Sequence, residues 1–231
     1  MTVDRKYVIQ NLLDTKNQPK YLEIGVYKGR NFLPIKAGLK VGVDPKFRIK
    51  WRKKLKWWLK NPGNWGAEFH RVTSDEFFAA NNSRSFDIVF IDGLHTYQQS
   101  LQDVLNALDV LADDGFIVMH DCHPPNDAAA QPANSVQHAA SFDHPGWTGQ
   151  WCGDVWKTIC HLRSSRNDLE IFVLDCDCGL GIIRKTTTTM PTIDVDLPTL
   201  ESMSFSDLGE NKHAFLNLKH ESYFDDYLNS L

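Results

Sequence analysis

The stretch YLEIGVYKGRNF, residues 21–32, decides the fold. Its apolar positions Tyr21, Leu22, Ile24 and Val26 carry an acid, Glu23, in their middle, and the run passes into Gly25 and Gly29. A short apolar run closed by glycine reads as a buried strand that ends in a tight turn. In an open α/β sheet, ligands sit beyond the carboxyl ends of the strands, where glycine lets backbone come close. The next helix offers free N–H groups there. A dinucleotide-binding turn would place glycine where Glu23 stands, as in G-x-G-x-x-G. A carboxylate at that point repels a pyrophosphate and suits a ligand with a cationic group.

Outward from this stretch the same pattern repeats. Val8, Ile9, Leu12 and Leu13 predict an opening helix. NFLPIKA (31–37) reads as a short helix after the first strand, with Pro34 in its first turn. LKVGVDP (39–45) is a second strand ending at Asp44. AEFHRV (67–72) is a third, followed by helical SDEFFAA (74–80), and FDIVFID (86–92) is a fourth. Thr96 to Gln99 reads as a capping box, and Leu101, Val104, Leu105, Leu108 and Leu111 follow at helical spacing. Asp113-Asp114-Gly115 turns into a fifth strand, FIVMHD (116–121). DVWKTICHLRSS (154–165) is helical, and LEIFVLD (169–175) and LGIIRK (180–185) are strands. Near-continuous apolar strands alternating with amphipathic helices predict a mostly parallel sheet covered on both faces. The last two strands are joined only by CDCG and must pair antiparallel.

Composition bounds the rest. The 231 residues are 42% hydrophobic with a formal charge of −4, enough for one sizeable core and no bulk field for a polyanion. No apolar run is long enough for a membrane span. The start lacks a signal-peptide pattern, and five cysteines without a CxxC pair suggest reduced thiols in a cytoplasmic protein. Three segments break the alternation. Residues 46–66 are basic and aromatic, residues 122–150 are rich in Pro, Ala, Asn and His, and residues 186–206 read as a linker.

The donor and acceptor ends then take shape. S-adenosylmethionine carries an amino group and a sulfonium and no phosphate, which suits Glu23, and Asp44 is placed to accept hydrogen bonds from ribose hydroxyls. Glu23-x-Gly25-x-x-x-Gly29, Asp44 and FDIVFIDGLHTY (86–97) together resemble the class I S-adenosylmethionine-dependent methyltransferases, over roughly residues 18–186. The branch with IDG-x-H-[ST]-Y after the fourth strand and HD after the fifth is the most similar. The resemblance implies a Rossmann-like α/β fold with a seven-stranded sheet whose last strand is antiparallel. It implies donor binding by Glu23, Gly25, Gly29, Asn31, Asp44 and Asp92, with adenine near Thr73, Ser74 and Asp75. It also implies a metal held by carboxylates at Asp92 and Asp121, beside His120. His120 departs from the acid that metal-dependent relatives carry. Mg²⁺ prefers oxygen ligands, whereas imidazole suits Mn²⁺, Fe²⁺, Co²⁺ or Zn²⁺, so Mg²⁺ and Mn²⁺ stand beside a metal-free site as alternatives.

An alcohol is a poor nucleophile until its proton leaves, and a metal or a base can take that role. His95 is the candidate base, or else a hydrogen bond that ties loop to helix; Asp92 and His95 are the candidate catalytic pair. These readings place a methyltransferase domain at 1–186, with an insertion at 46–66 and a lid or acceptor loop at 122–150. A linker and helical extension follow at 187–231. The expected reaction is O-methylation of a small hydroxylated acceptor such as a sugar or natural-product moiety. The alternatives are a metal-free N- or O-methyltransferase and a non-catalytic module that keeps the cofactor fold.

KFRIKWRKKLKWWLK (46–60) has eight basic residues and no acid. Phe47, Trp51, Leu55 and Trp58 share one helical face. Either the aromatics pack that helix and leave a solvated basic face, or the segment meets an anionic acceptor or a membrane surface. Nucleic acid fits less well, because the remaining residues are strongly acidic. His123, His138 and His144 match no compact metal spacing and read as loop histidines. Cys176 and Cys178 read as packing residues. Phe224, Tyr227, Leu228 and Leu231 form an apolar stripe for docking on the chain's own domain or on a second copy.

Overall fold

The computed structural model describes residues 2–80 and 84–231. The chain divides into two compact units, one of residues up to Gly93 with Asp103–Val118, the other of Leu94–Gln102 with Met119–Leu231. In the first unit lie α1 (Arg5–Asp14), β1 (Lys20–Ile24), β2 (Leu39–Val43), α2 (Trp51–Lys60), β3 (Glu68–His70), α3 (Ser74–Ala80) and β4 (Phe86–Ile91). Helix α4 (Tyr97–Val110) begins in the second unit and ends in the first. Strand β5 (Leu111–Met119) belongs to the first but for its last residue. The second unit holds α5 (Val136–Ala140), α6 (Trp156–Ser165), β6 (Leu169–Leu174), β7 (Leu180–Lys185), α7 (Leu197–Ser202), α8 (Phe205–Leu216), β8 (Leu218–Lys219) and α9 (Tyr223–Asn229).

The strands of the first unit run in the order β3-β2-β1-β4-β5. Strand β1 is parallel to both β2 and β4, with Ile24 level with Val43 and with Ile91. The three strands therefore end together, and Gly25, Asp44 and Asp92 stand at the same height just past the edge. Tyr21, Leu22, Val41, Ile88 and Val89 are fully buried, as expected of parallel strands covered on both faces. Helix α1 closes on Val8, Ile9, Leu12 and Leu13, and the Asp4 side chain accepts from Tyr7 N at its start, as an N-cap does.

The second unit orders its strands β7-β6-β8. Strands β6 and β7 are antiparallel, from Leu174 opposite Leu180 to Leu169 opposite Lys185. The apolar end of the chain docks here: Phe224 and Tyr227 are buried, and the Tyr227 ring meets Phe172 at 4.8 Å.

Four expectations need correction. Among the described residues the strands number eight, because Leu218 and Lys219 add a short β8 parallel to β6 at Val173 and Leu174. Strand β5 begins at Leu111, so Asp113-Asp114-Gly115 lie within it instead of forming a turn. The segment 186–206 contains a helical turn, α7, started by Asp196 accepting from Thr199 N. Residues 31–34 form turns and 35–37 irregular backbone, with no helix. Their carbonyls point to side chains from elsewhere. Lys40 Nζ donates to Phe32 O and Ile35 O at 2.6 and 2.7 Å. Asn61 Nδ2 donates to Leu33, Pro34 and Ile35 O, and Asn64 Nδ2 to Leu33 O. A helix would turn these acceptors to its own N–H groups.

Candidate functional site

Glu23 sits one residue before the end of β1 and is 1% exposed. Its Oε2 accepts from Tyr21 Oη at 2.5 Å and from Asn31 Nδ2 at 2.9 Å. Asn31 Nδ2 also donates to Tyr21 Oη. Burial pushes the Glu23 carboxyl up to about 7, against those two hydrogen bonds; Asp92 adds to the rise and Lys40 opposes it. Burial also raises the Tyr21 phenol, with Glu23 reinforcing it. Asn31 Oδ1 is buried without a hydrogen-bond partner among the described residues. A buried acceptor left unmade costs about 1–3 kcal/mol, so this atom fits a donor brought by a ligand.

Gly25 and Gly29 stand where the backbone itself requires glycine. Gly25 has φ +90, and a Cβ there would lie 1.9 Å from Asp92 O. Gly29 has φ +59, and its N–H donates to Val26 O. Both are demanded by the chain's own path. Asp44 also has a task within the protein. Its Oδ2 accepts from Tyr27 N at 2.7 Å and its Oδ1 from Lys46 N at 2.6 Å, which fixes the loop after β1 against the end of β2. Each oxygen keeps acceptor capacity. Asp92 is partly exposed and pairs with Arg5 Nη1 at 2.9 Å, a partner invisible to motif reading because it lies in the opening helix. Thr73 caps α3: its N–H donates to Glu76 Oε2 and its Oγ1 accepts from Glu76 N. Thr73, Ser74 and Asp75 follow β3, where the resemblance places adenine.

The second unit gathers its own titratable side chains. His95 Nδ1 lies 2.8 Å from Trp151 O and 3.2 Å from Asp121 Oδ2, and its ring stacks on Trp151 at 5.1 Å. Both neighbours are acceptors, so the Nδ1 proton is fixed and Nε2 carries the lone pair when the ring is neutral. His120 Nδ1 lies 2.9 Å from Asp121 Oδ2, and its Nε2 3.5 Å from Asp177 Oδ1. Burial would raise the Asp121 carboxyl, but the imidazoles of His120 and His95 outweigh it and hold the group well below the usual carboxylate range. Asp121 has φ +64, a conformation uncommon for a residue with a side chain. Gly153 has φ +62, and a Cβ there would lie 1.9 Å from His95 O.

Sequence reasoning missed the sulfur in this cluster. Cys178 stands in a left-handed turn, with φ +48 at Asp177, +63 at Cys178 and +83 at Gly179. The turn is held to the end of β5 by Cys122 N donating to Gly179 O and His123 N to Cys178 O. Cys178 Sγ accepts from Gln150 Nε2 at 2.9 Å. A hydrogen bond from Cys152 lowers the Cys178 thiol, and the same bond raises Cys152. His120, Asp121 and Cys178 each present one ligand atom within 4.8 Å of the others. Imidazole, carboxylate and thiolate together suit Zn²⁺ or Fe²⁺ better than Mg²⁺. Two of the three loop histidines pair with acids, His123 with Asp175 and His144 with Asp127, each at 2.8 Å, and His138 Nδ1 accepts from Asn134 N.

Residues 22–122 match the family model of a methyltransferase domain. No curated protein matches the sequence. Among solved structures, the chain is similar to the methyltransferase PaMTH1 of Podospora anserina, solved with S-adenosylhomocysteine. The identity is 17%, over 78% of this chain and 76% of that one, with a TM-score of 0.53. An O-methyltransferase from Bacillus cereus in complex with S-adenosylhomocysteine is 15% identical over 80% and 82%, with a TM-score of 0.51. The O-methyltransferase TomG of Streptomyces achromogenes, solved with S-adenosylmethionine, is 14% identical over 78% of each chain, with a TM-score of 0.50. At such identities the likeness is one of fold. Residues 22–122 are thus similar to a methyltransferase domain, and the chain shares the fold of these methyltransferases.

Proposed function

We propose that the protein binds S-adenosylmethionine through the ends of β1 and β2 and transfers its methyl group to the hydroxyl of a small acceptor. The orphaned acceptor Asn31 Oδ1 beside the buried Glu23 carries the donor assignment. Two buried acceptor groups suit an ammonium, and a phosphate would find no donor in them. Gly25, Gly29 and Asp44 shape the loop around the donor, and Asp92 with Thr73 and Ser74 serve it as the resemblance implies. The structures of Bacillus cereus and Streptomyces achromogenes proteins named O-methyltransferases favour oxygen as the acceptor atom.

His95 is the general base. Its Nδ1 is turned to Trp151 O and Asp121, which fixes the tautomer in which Nε2 accepts the proton of the hydroxyl as its oxygen takes the methyl from sulfur. The leaving group is neutral S-adenosylhomocysteine, so no acid is needed on that side. A divalent metal, if held by His120, Asp121 and Cys178, would supply a lowered pKa for a bound hydroxyl. The donor set favours a transition ion over the Mg²⁺ that the resemblance implies. The metal-dependent and metal-free readings separate on metal analysis of the purified chain and of Cys178→Ser.

Thermal shift with S-adenosylmethionine, S-adenosylhomocysteine, NAD and NADP tests the donor assignment. The first two should raise the melting temperature, as ligands selective for the native state do. A rise with NAD and none with S-adenosylmethionine refutes it.

A further inference from the structure

Helix α2 has no residue buried. Trp51 is 69% exposed, Leu55 49%, Trp58 38% and Leu59 77%, and Trp65 just after it is 73% exposed. Positions 51, 55, 58 and 59 span only about 100° of the helix, so they form one outward apolar stripe. Of the face expected to pack the segment, Trp51, Leu55 and Trp58 point outward, whereas Phe47, ahead of the helix, packs on Phe69.

The helix is nonetheless fixed in place from its other side. Lys53 Nζ donates to Lys28 O. Lys54 Nζ lies 4.4 Å from the centre of the Phe69 ring, and Phe47 meets Phe69 edge-on at 5.6 Å. Around the stripe stand the exposed bases Lys46, Arg48, Lys50, Arg52, Lys56 and Lys60. No acid lies between residues 46 and 60. The Trp65 indole N–H donates to Trp58 O, which joins its ring to the same surface.

We infer that α2 with Trp65 is a docking surface for a bilayer of anionic lipid. A polar face of Lys and Arg around a Trp and Leu stripe is the composition of a helix that lies in the membrane interface. Indole rings favour that depth because one edge is polar and the body apolar. The lysines and arginines meet the headgroup charge. A nucleic acid would use the bases and could stack on the tryptophans, but it offers nothing for Leu55 and Leu59 to enter. The rest of the chain argues against a polyanion as well: eight of its 25 Lys and Arg lie in residues 46–60, against none of its 29 Asp and Glu.

The test is co-sedimentation of the full chain with two kinds of vesicle, phosphatidylcholine alone and phosphatidylcholine mixed with phosphatidylglycerol, at low and high salt. Binding should need the anionic lipid, blue-shift the tryptophan emission and weaken with salt. Each base near the surface contributes about fivefold in affinity, so Arg52→Gln with Lys56→Gln should lose about 30-fold. Leu55→Gln with Leu59→Gln should lose at least about tenfold, because apolar burial goes with them. All four side chains are exposed, so the melting temperature should not move. No sedimentation with anionic vesicles at low salt overturns the inference. So does binding that the leucine variant leaves unchanged, or a chain that binds a single-stranded oligonucleotide but not vesicles.

Discussion

Glu23→Gln tests the buried carboxyl from which the donor assignment starts. Glu23 is held by Tyr21 and Asn31 in a site closed to water, and burial lifts its pKa from 4.5 to about 7. The folded pKa lies above the unfolded one, so between those values the native state binds more protons than the unfolded chain. Stability from this group is therefore complete below about pH 4.5 and falls as pH rises toward 7. At about 1.4 kcal/mol for each tenfold change, the loss is about 3 kcal/mol. Urea unfolding of wild type and Glu23→Gln at pH 5 and pH 7.5 measures it. The wild type should lose about 2.4 kcal/mol more than the variant between those conditions, about 0.8 M in midpoint at a slope of about 3 kcal/mol per M. Burial lowers Lys40 to about 7. Its contribution lies above pH 7, where the unfolded chain binds the extra proton, and so falls outside most of the window. Equal pH dependence in the two proteins would show that Glu23 is ionised throughout and refute the argument. The same carboxyl should give up its proton when a cationic donor binds, so affinity for S-adenosylmethionine should rise with pH up to about 7 in the wild type and not in Glu23→Gln.

Lys40→Met leaves Phe32 O and Asn64 Oδ1 without this buried donor and Ile35 O with Asn61 Nδ2 in its place; thermal denaturation should show a loss of about 2–5 kcal/mol. Gly25→Ala drives a methyl into Asp92 O at a left-handed position, and soluble expression should fail or the melting temperature collapse. Asp44→Ala removes the acceptors of Tyr27 N and Lys46 N. It should lower both stability and donor affinity, by about 1.5–3 kcal/mol for each hydrogen bond to the carboxylate, whereas a role at the ribose alone predicts unchanged melting of the ligand-free chain. Asp121→Asn keeps a residue type that tolerates φ > 0 but loses the charge beside both imidazoles. Methyl transfer should fall with its pH profile shifted, while donor binding measured by calorimetry stays.

The strands were legible because their apolar runs are short, continuous and closed by glycine or acid. Tyr21, Leu22, Val41 and Val89 are buried as that pattern requires. The antiparallel pair after Leu169 followed from the brevity of CDCG. What escaped depended on partners far away in sequence. Nothing in NFLPIKA announces that Lys40, Asn61 and Asn64 will take its carbonyls. Strand β8 is two residues long, below any periodic signal. Arg5 meets Asp92 across 87 positions. Cys178 reached His120 and Asp121 only because three consecutive residues adopt left-handed backbone, a conformation for which only Gly179 gave a hint.

The carbonyl collar around residues 32–35 has a mechanical consequence. Asn61, the residue that ends α2, grips Leu33, Pro34 and Ile35, and the same loop carries Gly29 and Asn31. A displacement of the basic helix is thus delivered to the loop beside Glu23 through the Asn61 amide, together with Asn64 and Lys53, without passing through the sheet. Whatever selects one posture of that helix selects a posture of the loop, and the exchange runs equally in both directions. Occupancy beside Asn31 and attachment through Trp51 and Leu59 would then be read by each other as a change in affinity of the same factor, with Asn61 as the coupling pin.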